Sequence, residues 1–97
     1  MEGEIMSHRT FYTFEEFFEY FELPRNCSIM LTSEETAYFE FHPYKGDVVV
    51  IRGWIKELNH KEVQVSFKYK EFGLGGTVWS FEDAKKYIQK IDYYYED

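Results

Sequence analysis

The strongest pattern of alternating hydrophobic and polar positions lies in residues 46–70. Every second residue from Val63 to Tyr69 is apolar, which is the period of a β-strand with one buried face. Another β-patterned run precedes this strand, and the polar stretch 59–61 separates the two. A short polar break between two such runs predicts a β-hairpin, here at the centre of a sheet.

The length of the loop sets the register of this hairpin. A loop of three residues gives the pairs Leu58 with Glu62, Ile55 with Val65, Gly53 with Phe67, and Ile51 with Tyr69. In this register, the apolar side chains of both strands point to one face, which becomes the core. A loop of two residues would place Ile55 opposite Gln64, and a slip of one residue turns a whole strand over. We predict the three-residue loop.

One helix is predicted before the sheet and one after it. The first begins at a capping box formed by Thr13 and Glu16 and ends at Pro24. Its phenylalanines fall within one arc of about 100°, and its glutamates fill the opposite arc. The second helix begins at Ser80, which caps it together with Asp83. Its buried stripe is formed by Phe81, Ala84, Ile88 and Ile91.

Two further strands are predicted between the first helix and the hairpin. Residues 27–32 alternate with Cys27 facing inward, and residues 36–42 alternate with their phenylalanines inward. A loop over residues 44–46, with glycine in its last position, joins the second of these strands to the hairpin. This loop pairs Phe41 with Val49 and Phe39 with Ile51.

These elements predict an α+β fold with two layers. One layer is a four-stranded antiparallel β-meander, and the other consists of the N- and C-terminal helices packed on one face, in the order α-β-β-β-β-α. The chain has 97 residues, which is enough for one core but not for two. We expect a single domain over residues 11–97, a mobile tail over residues 1–10, and a mobile glycine-rich loop over residues 71–76. Residues 92–97 are expected to form an aromatic and acidic tail.

Charge is concentrated in the N-terminal half of the chain. Residues 1–44 contain nine acidic and two basic residues, so they account for the whole net charge of −7. Aromatic residues make up 22% of the chain, more than a core of this size needs, so some rings are expected on the surface. The chain has one cysteine and no apolar run near the roughly 20 residues that cross a membrane. These features predict a cytoplasmic protein without a membrane partner.

No group of residues in the sequence predicts a reaction. His42 and His60 lie at opposite ends of one predicted strand, on the order of 35 Å apart. Cys27 is predicted to point inward and His42 outward, so they do not form a nucleophile and its base. The segment Gly73–Gly76 lacks the lysine and the following serine or threonine of a phosphate-binding loop. We therefore expect no enzyme activity, no metal and no cofactor.

Two surfaces are candidates for binding a partner. The first, called the acidic ridge, is the polar face of the first helix with its neighbours: Glu15, Glu16, Glu19, Glu22, Tyr20, Glu34 and Glu35. We expect Asp92, Glu96 and Asp97 to extend it. Like charges spaced one turn apart repel by a few tenths of a kcal/mol per pair. Such carboxylates can imitate backbone phosphates and attract a nucleic-acid-binding protein, although a merely solvated helix face is the alternative.

The second surface, called the outer face, is the side of the sheet opposite the helices. Its predicted partner-binding residues are Tyr38, Arg52, Trp54, Lys56, Lys68 and Lys70. Aromatic rings among basic residues are typical of proteins that bind single-stranded nucleic acid. The negative net charge argues against this function, because nucleic-acid-binding domains are normally basic. A protein contact, self-association and a solvated face are the alternatives.

In size, acidity and aromatic content, the chain resembles the small inhibitors made by phages and mobile elements, such as anti-CRISPR and other DNA-mimicking proteins. The resemblance implies a viral protein that acts in the host cytoplasm. We expect the acidic ridge to dock on a basic, nucleic-acid-binding protein, without direct nucleic acid binding as the main activity. The alternatives are a toxin-immunity protein, which shares this profile, and a single-stranded nucleic-acid-binding module that uses the outer face. A homodimer is left open.

Overall fold

The computed structural model describes residues 6–32, 34–41, 51–69 and 73–96. Over these residues the chain forms seven strands and two short helices. Their bounds are β1 Met6–Phe11, α1 Phe14–Tyr20, β2 Ser28–Met30, β3 Glu35–Phe41, β4 Ile51–Asn59, β5 Glu62–Tyr69, β6 Gly73–Ser80, α2 Phe81–Tyr87 and β7 Ile91–Glu96. The strands form one sheet in the order β1-β7-β3-β4-β5-β6, and β2 pairs with β4 outside this path. The predicted four-stranded meander that begins with a helix is therefore wrong.

The two ends of the chain form neighbouring strands. β1 pairs antiparallel with β7, from Met6 opposite Glu96 to Phe11 opposite Ile91, and β7 also pairs with β3. Residues 6–10 are thus part of the sheet rather than a mobile tail, and residues 91–96 form an internal strand rather than an acidic tail. Residues 1–5 and Asp97 lie outside the described residues.

The β4–β5 hairpin has the predicted register over most of its length. Gly53 lies opposite Phe67 and Ile55 opposite Val65, as predicted. A β-bulge then shifts the register between Ile55 and Glu57, so that Leu58 lies opposite Val63 instead of Glu62. Regular alternation after Ile55 would have placed Glu57 on the core side. Because one extra residue is inserted at Lys56, Leu58 lies on the core side instead.

The register between β3 and β4 differs from the prediction by two residues. Phe39 lies opposite Gly53 and Phe41 opposite Ile51, whereas the prediction paired Phe39 with Ile51. A shift of two residues keeps each side chain on its own face, so Phe39 remains in the core. The predicted partner Val49 and the loop at 44–46 lie outside the described residues.

β2 is shorter than predicted and has a different neighbour. It covers three residues and pairs with the end of β4, with Ile29 opposite Leu58. Cys27 precedes the strand and is exposed, so the prediction of an inward-facing Cys27 is wrong. A turn accounts for this position, since the Cys27 N–H donates to the Pro24 carbonyl at 3.3 Å.

The glycine-rich segment is a strand over its described part. β6 pairs with β5 from Gly73 opposite Tyr69 to Ser80 opposite Glu62, so the prediction of a mobile loop is wrong for residues 73–76. A Cβ at Gly76 would lie 2.8 Å from the Val65 carbonyl oxygen. Glycine therefore allows close approach of the β6 backbone to β5. Residues 70–72 lie outside the described residues.

Both predicted helix starts are confirmed, and both helices are shorter than predicted. The Thr13 hydroxyl accepts from the Glu16 N–H at 3.0 Å, and the Ser80 hydroxyl accepts from the Asp83 N–H at 3.1 Å. α1 ends before Glu22, which has a left-handed φ of 48°. α2 ends at Tyr87, so its predicted last residue, Ile91, belongs to β7.

The core lies between the inner face of the sheet and the two helices. It contains Phe14 and Phe17 from α1, Ala84 from α2, and Val65 and Phe67 from β5. The helices meet through aromatic contacts, since the ring of Phe81 lies 5.2 Å from that of Phe14 and 4.9 Å from that of Phe18. Within the described ranges, no helix has the length and apolar character needed to cross a membrane.

Candidate functional site

The acidic ridge lies on the solvent side of α1. Glu15, Glu16 and Glu19 are exposed on the helix, and Glu22 is exposed just beyond its end. Glu16 accepts a hydrogen bond from the Thr13 hydroxyl at 3.3 Å. Among residues 6–32, 34–41, 51–69 and 73–96, no lysine or arginine forms an ion pair with these four carboxylates. Their negative charge therefore faces the solvent.

Tyr20 is the last residue of α1 and lies beside the glutamates of the acidic ridge. Its side chain is 36% exposed, and the Arg9 guanidinium carbon lies 4.9 Å from the centre of its ring. This cation–π contact holds the β1 arginine over the aromatic ring, while its charge forms no ion pair with a glutamate of α1 in the described part of the chain.

The Glu35 side chain is hydrogen-bonded within the fold and is not exposed beside α1. One of its carboxylate oxygens accepts from the Thr32 N–H and hydroxyl, both at 3.2 Å. The other accepts from the Tyr93 hydroxyl at 2.6 Å. Burial, together with this hydrogen bond and the negative charge of Glu35, raises the pKa of Tyr93 well above its ordinary value. Of the two predicted extensions at this turn, only Glu34 is exposed.

The C-terminal acids do not extend the ridge as a group. Asp92 alternates with the buried Ile91 and Tyr93, so it lies on the outer face, across the sheet from α1. There it accepts from the Thr10 hydroxyl at 3.0 Å and lies 3.3 Å from His8 Nε2. The ring of His8 stacks on Tyr94 at 4.5 Å. No sequence pattern predicted this cluster, because it depends on the pairing of β1 with β7.

The outer face brings together most of the residues predicted for it. Tyr38 lies opposite Trp54, and Arg52 lies opposite Lys68. The Arg52 guanidinium carbon sits 4.4 Å from the centre of the Tyr38 ring. Lys70 lies outside the described residues.

An open cleft occupies this part of the outer face. Its volume is about 540 Å³, and its lining includes Leu31, Tyr38, Arg52, Trp54, Lys56 and Lys68. The β-bulge forms part of its floor, where the Lys56 carbonyl accepts from the Leu31 N–H at 2.9 Å. At this point the neighbour of β4 changes from β3 to β2. The sequence pattern predicted the outward side chains but neither the bulge nor the concavity.

The remaining candidate catalytic and metal-binding residues do not lie together. His60 Nε2 lies 2.7 Å from the Leu23 carbonyl oxygen, and its ring contacts that of Phe18 at 4.9 Å. His60 therefore packs against the end of α1, while Cys27 is exposed. The part of the chain that the structure describes contains no group of three or more His, Cys, Asp or Glu side chains that could hold a metal ion. His42 lies outside that part.

Comparison with known protein families, with curated proteins and with solved structures finds no match.

Proposed function

We propose that the chain is a non-enzymatic inhibitor that docks through its acidic ridge on a basic, nucleic-acid-binding protein. The observation that supports this proposal is the set of exposed glutamates on α1 without an ion-pair partner among the described residues. A basic surface would relieve the repulsion between these carboxylates. It would also gain the long-range attraction that speeds association of oppositely charged proteins.

The second helix supports the proposal by contrast. Glu82 and Asp83 in the first turn of α2 are followed by Lys85 and Lys86 in its last turn, so the charge of this helix is balanced. Glu82 also forms an ion pair with Lys85 at 3.1 Å. An ordinary solvated helix carries such interleaved charges, and α1 does not.

The proposal places the chain in the class of phage or mobile-element inhibitors that act in the host cytoplasm. There the carboxylates of the acidic ridge take the place of nucleic acid phosphates on the partner. A toxin-immunity protein uses the same chemistry on a basic nuclease toxin. The identity of the captured partner distinguishes these two functions. A phage or mobile-element inhibitor would bind a defence protein of the host, whereas a toxin-immunity protein would bind a toxin encoded beside it.

Charge reversal of the acidic ridge tests the proposal. The triple variant Glu15→Lys, Glu19→Lys and Glu22→Lys leaves the capping residue Glu16 in place, so the fold should be retained, as circular dichroism can check. Affinity capture from host lysate, followed by mass spectrometry, should recover a basic protein with the natural chain and lose it with this variant. Higher ionic strength should weaken the capture.

A matched control carries the same change in net charge at other exposed acids. Its substitutions are Glu40→Lys, Glu62→Lys and Glu82→Lys. Glu82 occupies the second position of α2, as Glu15 does in α1, so both variants place one lysine near a helix N-terminus. The control should capture the same partner as the natural chain. Equal loss of the partner in both variants would mean that net charge, and not the acidic ridge, determines binding.

A further inference from the structure

We propose that the cleft on the outer face binds a short segment of single-stranded nucleic acid, with Trp54 stacking on a base and Arg52, Lys56 and Lys68 contacting phosphates. This binding site goes beyond the proposed docking function. It lies on the opposite side of the sheet from the α1 glutamates of the acidic ridge, so both surfaces can be occupied at once.

The order of residues along β4 suits this ligand. Arg52, Trp54 and Lys56 place an aromatic ring between two cations that are roughly 13 Å apart along the strand. Lys68 on β5 lies opposite Arg52 and adds a third positive charge to one end. A single strand presents the same sequence of groups, since each base is flanked by the phosphates on either side of its nucleotide.

The cations of the cleft are available to a ligand. Arg52, Lys56 and Lys68 are exposed and form no ion pair with any other residue in the described ranges. Glu35, the acid in the lining of the cleft, already accepts hydrogen bonds from Thr32 and Tyr93. Three cations against one carboxylate give the lining a net positive charge in a chain whose net charge is −7, and the exposed Glu40 opposite Arg52 lies outside this lining.

Tyr38 provides a second ring beside Trp54. The Arg52 guanidinium carbon lies 4.4 Å from the centre of this ring, and the cation–π contact restrains the arginine side chain at the cleft. A guanidinium restrained in this way can donate to a phosphate with less loss of side-chain entropy on binding.

The β-bulge supports a binding role for the cleft. Bulges occur often beside binding sites, where they redirect a side chain. Here the extra residue is Lys56, whose carbonyl is fixed by the Leu31 N–H at 2.9 Å. The bulge adds a lysine to the cleft while Ile55 and Leu58 both remain in the core.

The sheet face selects single strands over duplexes. Stacking on Trp54 needs a base whose flat side is exposed, and bases in a duplex are stacked on one another. The negative charge of the rest of the chain opposes approach of a polyanion, so we expect weak binding, with a dissociation constant in the range of roughly 10⁻⁶ to 10⁻⁴ M at physiological salt.

Fluorescence anisotropy with a labelled oligothymidine of about ten nucleotides tests the proposal. Trp54→Ala should weaken binding roughly 5- to 150-fold, which is the range for loss of one stacked base, and Trp54→Phe should keep most of the affinity. The variant R52A/K56A/K68A should reduce the slope of log affinity against log salt concentration by about 2, because each lost phosphate contact in a single strand contributes about 0.7.

A matched control removes one arginine and two lysines elsewhere. The variant R25A/K61A/K86A has the same net charge as the cleft variant, and its three sites are exposed and outside the lining of this cleft. It should bind the oligonucleotide like the natural chain. Equal loss in both triple variants, equal affinity for a duplex of the same length, or no binding by the natural chain at low salt would overturn the proposal. None of these results would affect the acidic ridge, whose residues are unchanged.

Discussion

Gly53 is a position on the inner face of β4 where the core leaves no space for a side chain. A Cβ at this position would lie 2.7 Å from a ring carbon of Phe39 and 3.0 Å from one of Phe67. Both phenylalanines are buried, and their ring centres are 6.1 Å apart. The glycine therefore allows two aromatic rings from the neighbouring strands to meet across β4.

Gly53→Ala should lower the free energy of unfolding by about 1 to 3 kcal/mol, because the added methyl group forces two packed rings to move. Urea unfolding measures the loss. Thr77→Ala, at an exposed position of β6, is the control and should stay within about 0.5 kcal/mol. An unchanged stability for Gly53→Ala would show that the core can expand at this point.

The hydrogen bond from Tyr93 to Glu35 joins β7 to the start of β3. Tyr93 is buried, and its hydroxyl donates to the carboxylate at 2.6 Å. Because the donor pairs with a charged acceptor, Tyr93→Phe should cost about 1.5 to 3 kcal/mol at neutral pH.

This bond also predicts a dependence of stability on high pH. The pKa of Tyr93 is raised in the folded chain, so folded and unfolded chains both keep the proton below about pH 10 and the contribution is complete there. Above that pH the unfolded chain releases the proton first, and stability falls by up to about 1.4 kcal/mol per pH unit. Unfolding measured from pH 7 to 11 should show the difference between the natural chain and Tyr93→Phe shrinking above pH 10. A constant difference would contradict the raised pKa.

At the scale of elements, α1 ends through a left-handed residue. Glu22 has a φ of 48°, a conformation that costs a residue with a Cβ roughly 1 to 2 kcal/mol. Glycine is the usual residue at this position after a helix. In this chain the residue is glutamate, which continues the charge pattern of the helix. The charge pattern alone therefore predicted a longer helix.

Glu22→Gly should raise the free energy of unfolding by about 1 kcal/mol, since the relief of backbone strain exceeds the entropy cost of glycine. For a chain of this size, that corresponds to an increase in Tm of about 4 to 8 °C. Glu22→Ala removes the same charge and keeps the Cβ, so its Tm should change little. Equal gains for both variants would assign the effect to charge.

The elements that the sequence predicted well are those with local signals. The capping residues Thr13 and Ser80 mark both helix starts, and the alternation after Val63 gives the inner face of β5. β6 and β7 were missed for physical reasons. β6 begins with glycines, which favour loops elsewhere, and tyrosines occupy both faces of β7, so its alternation of polarity is weak.

At the scale of the whole molecule, the sheet order depends on contacts between the two ends of the chain. His8 pairs with Tyr94, 86 positions later, and no local pattern encodes such a contact. The prediction therefore placed two terminal tails where the fold has two strands. The candidate surfaces were less affected, because α1 and the outward residues of β4 keep their faces whatever strands lie beside them.

The two candidate surfaces differ in charge. The acidic ridge on α1 lies with the helices, and Arg52, Lys56 and Lys68 lie on the outer face. The net charge of the chain does not reveal this difference between the two surfaces. We therefore expect different partners at the two surfaces, each with its own dependence on salt.

Competition between the chain and nucleic acid for the captured partner tests the proposed inhibition most directly. The purified partner is loaded with labelled nucleic acid, and the fluorescence anisotropy of the label is followed as the chain is added. We predict that the natural chain displaces the nucleic acid and that the variant E15K/E19K/E22K does not. Displacement by this variant at the same concentration as the natural chain, or binding of the natural chain without displacement, would contradict a phosphate-mimicking role for the acidic ridge.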